Sequence, residues 1–387
     1  MNFPAVPDQV EFKTITDDAT LAACCARWQC EPALALDTEF MRVSTFYPQA
    51  ALFQVADAEG AWLIDPLTIT DWEPLRQLLL NPAVVKVLHS CSEDLLVFHT
   101  CLGMMPSPLF DTQLAAAFLG EGTAISYQNL VKQHAGVELP KGETRSDWLQ
   151  RPLTREQQIY AALDVAYLLP VWEQQDARLQ SQGRRAWFEE DCSRLARQYA
   201  TELSGDFSDY YLNFRSAWQL NAQQRAALRA LAIWREQRAR KRDRPRNWIL
   251  KDAALYGIAL TLPSSKTQLA LIEEVGDKFV RFEGDQVLAL LEQARVALEA
   301  DCPGPVPKPL SQGQKTRVRR AQDWVEAKAL ELELPAEVLG RKRLLMALYY
   351  AVVADPALRP DALALPEELH GWRGPLITEA LIEILRP

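Results

Sequence analysis

Asp37 and Glu39 stand two residues apart in the apolar run Ala33-Leu34-Ala35-Leu36-Asp37-Thr38-Glu39-Phe40. The run reads as a β-strand, and residues two apart on a strand face the same side, so both carboxylates project together. Like charges side by side in a low-dielectric setting repel and lose hydration. A divalent cation offsets both penalties, and hard oxygen ligands favour Mg²⁺ or Mn²⁺. Taken alone, the pair is equally compatible with an exposed strand end. Asp94 falls in the first turn of a helix that follows an apolar strand, where an acid also complements the helix dipole. Tyr160 and Asp164, four apart on a later helix, share one face. That spacing also suits a buried phenol–carboxylate hydrogen bond.

The elements that must position these groups alternate between strand and helix through the first 200 residues, an α/β pattern. Residues 33–40, 50–56 and 61–64 read as three strands of an antiparallel meander. A helix is predicted over 71–80, a buried strand over 84–88 and a helix from 92 to 100. A short strand over 108–110 precedes a helix over 112–119. One long helix is predicted from Thr154 to about 176, opened by Thr154 and Gln157 at the spacing of a capping box. Ser204-Gly205-Asp206-Phe207-Ser208-Asp209 breaks the pattern, and beyond it strands nearly vanish. The stretch Asp301-Cys302-Pro303-Gly304-Pro305-Val306-Pro307-Lys308-Pro309 reads as a stiff linker between two helical modules of similar length. The domain assignment is therefore 1–205, 213–300 and 311–387.

The 387-residue chain is 48% apolar and 24% charged, as expected of a globular protein with two or three domains. It has no run of 18 apolar residues and no basic-then-apolar leader, which predicts a cytoplasmic protein. Seven cysteines without a CxxC pair read as reduced core thiols. A net charge of −9 argues against a nucleic-acid partner for the chain as a whole. Yet Arg235, Arg238, Arg240, Lys241, Arg242, Arg244 and Arg246 are crowded together, opposed there only by Glu236 and Asp243. Such a cluster is expected to contact nucleic-acid phosphates.

Asp-x-Glu on a strand, an Asp at a helix start and Tyr-x-x-x-Asp on a late helix together resemble the DEDD 3′→5′ exonucleases. Tyr160, with Ile159 where the DEDDh branch has histidine, makes the resemblance one to the DEDDy branch. Tyr47-Pro48-Gln49, Ile64-Asp65-Pro66, His89 with Ser92-Glu93-Asp94, Asp111-Thr112-Gln113, Ser146-Asp147-Trp148 and Gly371-Trp372-Arg373-Gly374 narrow it to the ribonuclease D family over nearly the whole chain. The resemblance implies an RNase H-like α/β exonuclease domain, a mixed sheet flanked by helices, followed by two small all-α HRDC bundles. It implies two divalent ions, Mg²⁺ or Mn²⁺, held by Asp37, Glu39, Asp94 and Asp164, with Tyr160 aiming the attacking water. Two such ions roughly 4 Å apart supply a nucleophile, neutralise the phosphoryl group and stabilise the leaving oxygen.

Thr38 and Phe40 would contact the terminal nucleotide, His89 a phosphate, and Lys141 and Arg145 the RNA backbone. The implied reaction releases nucleoside 5′-monophosphates from RNA 3′ ends, with tRNA precursors as substrates and the enzyme a monomer. A DNA 3′→5′ exonuclease and a non-catalytic RNA-binding protein are the competing readings. An aspartyl phosphatase would call for Asp-x-Asp, and position 39 is glutamate.

Overall fold

The computed structural model describes residues 10–140, 146–203 and 205–386. The chain divides into two compact units, one built from Met1–Met41, Ala50–Tyr199 and Leu310–Pro387, the other from Arg42–Gln49 and Ala200–Pro309.

The first unit is organised around a six-stranded sheet of β1 (Phe12–Ile15), β2 (Ala33–Met41), β3 (Gln49–Asp57), β4 (Gly60–Ile64), β5 (Val85–Leu88) and β6 (Leu109–Asp111). The strand order is β1-β4-β3-β2-β5-β6. β3 and β4 pair antiparallel, β1 runs parallel to β4, and β2, β5 and β6 run parallel to one another. The expected meander thus accounts for only part of a mixed sheet. Helices α1 (Asp18–Trp28), α2 (Glu73–Leu80), α3 (Ser92–Leu102), α4 (Thr112–Phe118), α5 (Tyr127–Ala135), α6 (Arg155–Ala166), α7 (Leu168–Ser181) and α8 (Arg185–Leu203) accompany it.

The pleat of β2 sorts its residues between two cores. Leu34 and Leu36 join Leu21, Trp28, Leu78 and Phe98 of α1, α2 and α3. Ala33 and Ala35 join Ala161, Ala162 and Val165 of α6. Small residues on both partners let α6 lie close to the strand. Asp37 and Glu39 continue the odd-numbered face, so the period of two delivers them to the side that α6 covers.

The single helix predicted from 154 to about 176 is two helices. At the break the Tyr167 N–H donates to the Tyr127 hydroxyl at 3.3 Å, and that hydroxyl donates to the Leu163 carbonyl at 2.9 Å. A side-chain oxygen inserted into the i→i−4 ladder ends one helix and lets the next begin at a new angle. Pro170 then falls in the first turn of α7, where its missing N–H costs no intrahelical bond. The capping box at the start of α6 is present as expected, from Thr154 and Gln157. All seven cysteines are free thiols, four of them buried.

Among the described residues the second unit contains three 3₁₀ turns, Tyr210–Asn213, Ala217–Gln219 and Glu299–Asp301, and the helices α9 (Ala222–Arg242), α10 (Arg246–Ile249), α11 (Asp252–Thr261), α12 (Lys266–Ala270) and α13 (Asp277–Val296). Leu228, Leu231, Ile258, Leu269 and Leu291 centre its core. Asp243 ends α9 in the left-handed region, at φ 47°. Its Oδ1 accepts the backbone N–H groups of Phe46 and Tyr47, both at 2.9 Å.

The C-terminal part of the first unit comprises α14 (Gln312–Glu331), α15 (Ala336–Leu339), α16 (Lys342–Ala354) and α17 (Gly374–Leu385). It packs on α8 through the Gly371-Trp372-Arg373-Gly374 stretch. The Trp372 ring stacks on Trp187 at 4.6 Å, and Arg373 makes a two-pronged pair with Asp191 at 2.6 and 2.5 Å. Among the described residues no helix is long and apolar enough to cross a membrane.

Candidate active site

β2 and α6 bring three acids together. A carboxylate oxygen from each of Asp37, Glu39 and Asp164 lies within 4.8 Å of the others. Tyr160, one turn before Asp164, hydrogen-bonds its carboxylate. The Trp148 ring lies 6.0 Å from the Tyr160 ring. Arg151 pins the loop carrying Trp148, gripping Asp65 at 2.6 and 2.8 Å and the carbonyls of Ala51 and Trp148. Asp94 enters from the first turn of α3, only 7% exposed, and accepts the hydroxyl hydrogen of Thr38. It stands outside the group of three but close enough for its charge to act on Asp37 and Glu39.

Among the described residues no lysine or arginine forms an ion pair with these four acids. Burial, reinforced by the charges of Asp164 and Asp94, pushes Glu39 up to about 9. Burial raises Asp164 to about 8, with the Tyr160 hydrogen bond pulling the other way and the Asp94 charge adding to the rise. Asp94 is raised by burial to about 6 against the opposing Thr38 hydrogen bond. Burial, with repulsion from Asp94, Asp164 and Glu39, holds Asp37 well above the ordinary carboxylate range. Converging carboxylates with no basic partner are a donor set that fits hard divalent cations. The Tyr160 phenol is itself raised by burial and by Asp164, which keeps it a neutral hydrogen-bond donor.

The neighbouring residues divide. Thr38, expected at the terminal nucleotide through its backbone, gives its side-chain hydroxyl hydrogen to Asp94. Phe40 is half-buried against the α1–α3 core. His89, expected at a phosphate, has both ring nitrogens engaged, with the Thr112 hydroxyl at 2.9 Å and the Ile125 carbonyl at 3.1 Å. Lys141 and Arg145 lie outside the described residues.

The structure gives most of the arginine cluster acidic partners. Arg238 and Arg242 share Glu283, Arg240 and Arg246 share Glu236, and Arg235 pairs with Asp252. Glu236 and Glu283 are 1% and 3% exposed, and a buried carboxylate demands a cation. Five of the seven charges thus answer acids of α9, α11 and α13: Glu236 stands within the cluster in sequence, whereas Asp252 and Glu283 lie outside it. Tyr127 and Arg151 were missed as supports of the site. Tyr127 acts through a backbone carbonyl, and Arg151 through two carbonyls and the Asp65 carboxylate, partners for which no spacing in the sequence is a signal.

The 3′-5′ exonuclease family model matches residues 12–180, and the HRDC domain model residues 224–291. Ribonuclease D of Pseudomonas paraeruginosa is 44% identical over 375 residues, covering 97% of this chain and 98% of that protein. This chain belongs to the ribonuclease D family. Ribonuclease D of Escherichia coli is 37% identical over 378 residues, covering 97% and 99%. The crystal structure of Escherichia coli RNase D superposes with a TM-score of 0.87 at 35% identity, over 97% of this chain and 99% of that one. As a ribonuclease D the protein is a 3′→5′ exoribonuclease, with a mixed-sheet exonuclease domain followed by a helical HRDC region. The acid cluster, in that fold, marks it as a user of divalent metal.

Proposed function

We propose that this ribonuclease D trims RNA 3′ ends by a two-metal-ion mechanism, releasing nucleoside 5′-monophosphates, with tRNA precursors among its substrates. The observation that carries the mechanism is the convergence of Asp37, Glu39 and Asp164 within 4.8 Å, with no basic partner among the described residues. The Escherichia coli relative is described as an exoribonuclease involved in structured RNA processing, which supports a structured precursor as substrate.

Bound divalent cations lower the pKa of an attacking water and neutralise charge on the phosphoryl group. Glu39 and Asp164 would hold one ion, Asp94 the other, with Asp37 shared between them. Tyr160, hydrogen-bonded to Asp164, would orient the water by donating or accepting a hydrogen bond. Its raised phenol pKa speaks against proton abstraction and for orientation.

The test is hydrolysis of a 3′-extended tRNA precursor with and without Mg²⁺, alongside matched RNA and DNA tails. Mg²⁺-dependent removal of single nucleotides, halting near the mature end, is the expected result. Preference for the DNA tail would overturn the substrate class, and undiminished hydrolysis in chelator would overturn the mechanism.

A further inference from the structure

Trp248 is out of keeping with the arginine-rich turn around it. It is 62% exposed, whereas Phe46, the aromatic ring beside Arg240 and Arg246 at 5.0 and 4.9 Å, is 5% exposed. The indole is not carried on a loose loop. Trp248 is the third residue of the one-turn helix α10, and its backbone N–H donates to the Pro245 carbonyl at 2.8 Å. The Arg244 guanidinium lies 5.9 Å from the indole centroid and is itself anchored on the Ser44 carbonyl at 3.1 Å. Lys241 is exposed at the end of α9. Beside Asn247 opens a groove of about 470 Å³, lined also by Arg42 and by Val43, which is 75% exposed.

Charge decides what such a face would take. Residues 42 and 235–246 carry eight basic side chains. Among the described residues the acids near them include Glu236, Asp243, Asp252 and Glu283, and two of those are already buried under arginines. The surface left over is positive in a chain whose net charge is −9. An aromatic face in water, beside the Arg244 guanidinium and next in sequence to Asn247 of an open groove, suits a flexible polyanion with stacking rings. A protein partner would call for a broader apolar patch than one indole and one valine.

We propose that Trp248, with Arg244 and Lys241, forms a base-stacking site for single-stranded RNA, a contact separate from the acid cluster. Stacking on an indole tolerates any base, which suits an enzyme that consumes a tail regardless of its sequence. The inference rests on the exoribonuclease reading and adds to it a residue that the basic cluster alone did not single out.

The test is binding of a short, unstructured, 5′-labelled RNA to the full chain in chelator over a range of salt, comparing W248A, W248F and R244Q with the unaltered protein. Trp248 is exposed, so its removal leaves the core intact. W248A is expected to bind roughly tenfold more weakly with an unchanged salt slope, while W248F keeps most of the affinity. R244Q is expected to reduce the slope of log affinity against log salt by about 0.7, the value for one lost contact to a single strand. With Mg²⁺ present, W248A should raise KM on a tailed RNA by the same factor and leave kcat unaltered. Equal binding by W248A and the unaltered protein overturns the proposal and leaves the indole to a protein partner. A W248F as weak as W248A overturns it too, because the loss would not then be that of a ring. Failure of the unaltered protein to shorten RNA would sink the underlying reading instead, and is told apart by being independent of position 248.

Discussion

Thr38 gives its hydroxyl hydrogen to Asp94, and this one bond sets Asp94 apart from the three acids gathered by β2 and α6. Asp94→Asn keeps an oxygen facing Thr38 and should leave the fold intact, while the anionic ligand is lost. Hydrolysis is expected to fall by roughly 10²-fold or more, with RNA binding in chelator retained; full activity would remove the second ion from the mechanism. The raised carboxylates lead to a second expectation. Glu39 and Asp164 titrate near 9 and 8, so at neutral pH protons occupy the site that a cation needs. Mg²⁺ affinity should therefore rise between about pH 6 and 9, with protons released on binding. Calorimetry in buffers of different ionisation enthalpy reads that release directly; none at pH 7 would mean that the acids are ionised without metal. The acids and Tyr160 were legible because their side-chain types and spacing carry the chemistry. Thr38, Tyr127 and Arg151 were not, because each supports the site through a bond whose partner is set only by the fold.

At the scale of elements, β2 to β6 and the helices α2, α3 and α4 were readable from apolar runs and capping residues, whereas β1, α1, α5 and the joint between α6 and α7 were not. β1 has four residues and only one fully buried side chain, Ile15, so no alternation announces it. The joint depends on a hydroxyl that arrives from α5, 40 residues away in sequence. The start of α17 illustrates a close approach that sequence shows only as a glycine. A Cβ on Gly374 would stand 2.4 Å from the Leu369 carbonyl oxygen, a backbone atom with little freedom to yield. Gly374→Ala is expected to destabilise the chain by about 1–3 kcal/mol. Gly313→Ala, where an added Cβ meets nothing within 4 Å, should be neutral or stabilising by up to about 1 kcal/mol. Urea unfolding of the two variants compares them directly, and equal midpoints would show that the backbone around Gly374 relaxes freely.

At the scale of the molecule, the C-terminal helices read from sequence as a module of their own, yet residues 310–387 fall in one compact unit with the sheet. The reason lies in partners about 180 residues apart. Trp372 stacks on Trp187 and donates to Asp191, and Arg373 ties Asp191 to the Val338 carbonyl. Burial works to raise the Asp191 carboxyl, but the hydrogen bond and charge of Arg373, with Arg194, outweigh it and hold the group below the ordinary range. A depressed carboxylate pKa contributes stability that is fully present above the unfolded value, near ~4, and is lost as pH falls through the folded one. The clasp should therefore be indifferent to pH from 5 to 8 and give way only in stronger acid. Asp191→Asn removes it at every pH and leaves Arg373, 5% exposed, without its counter-charge. Breaking a buried pair on one side costs about 3–5 kcal/mol, enough to open a helix layer locally while the sheet persists. Hydrogen exchange at neutral pH should then show faster exchange in α17 than in β2 and β5. Protection of α17 equal to that of the unaltered protein would mean that the tryptophan stack, and not the ion pair, holds these helices to α8.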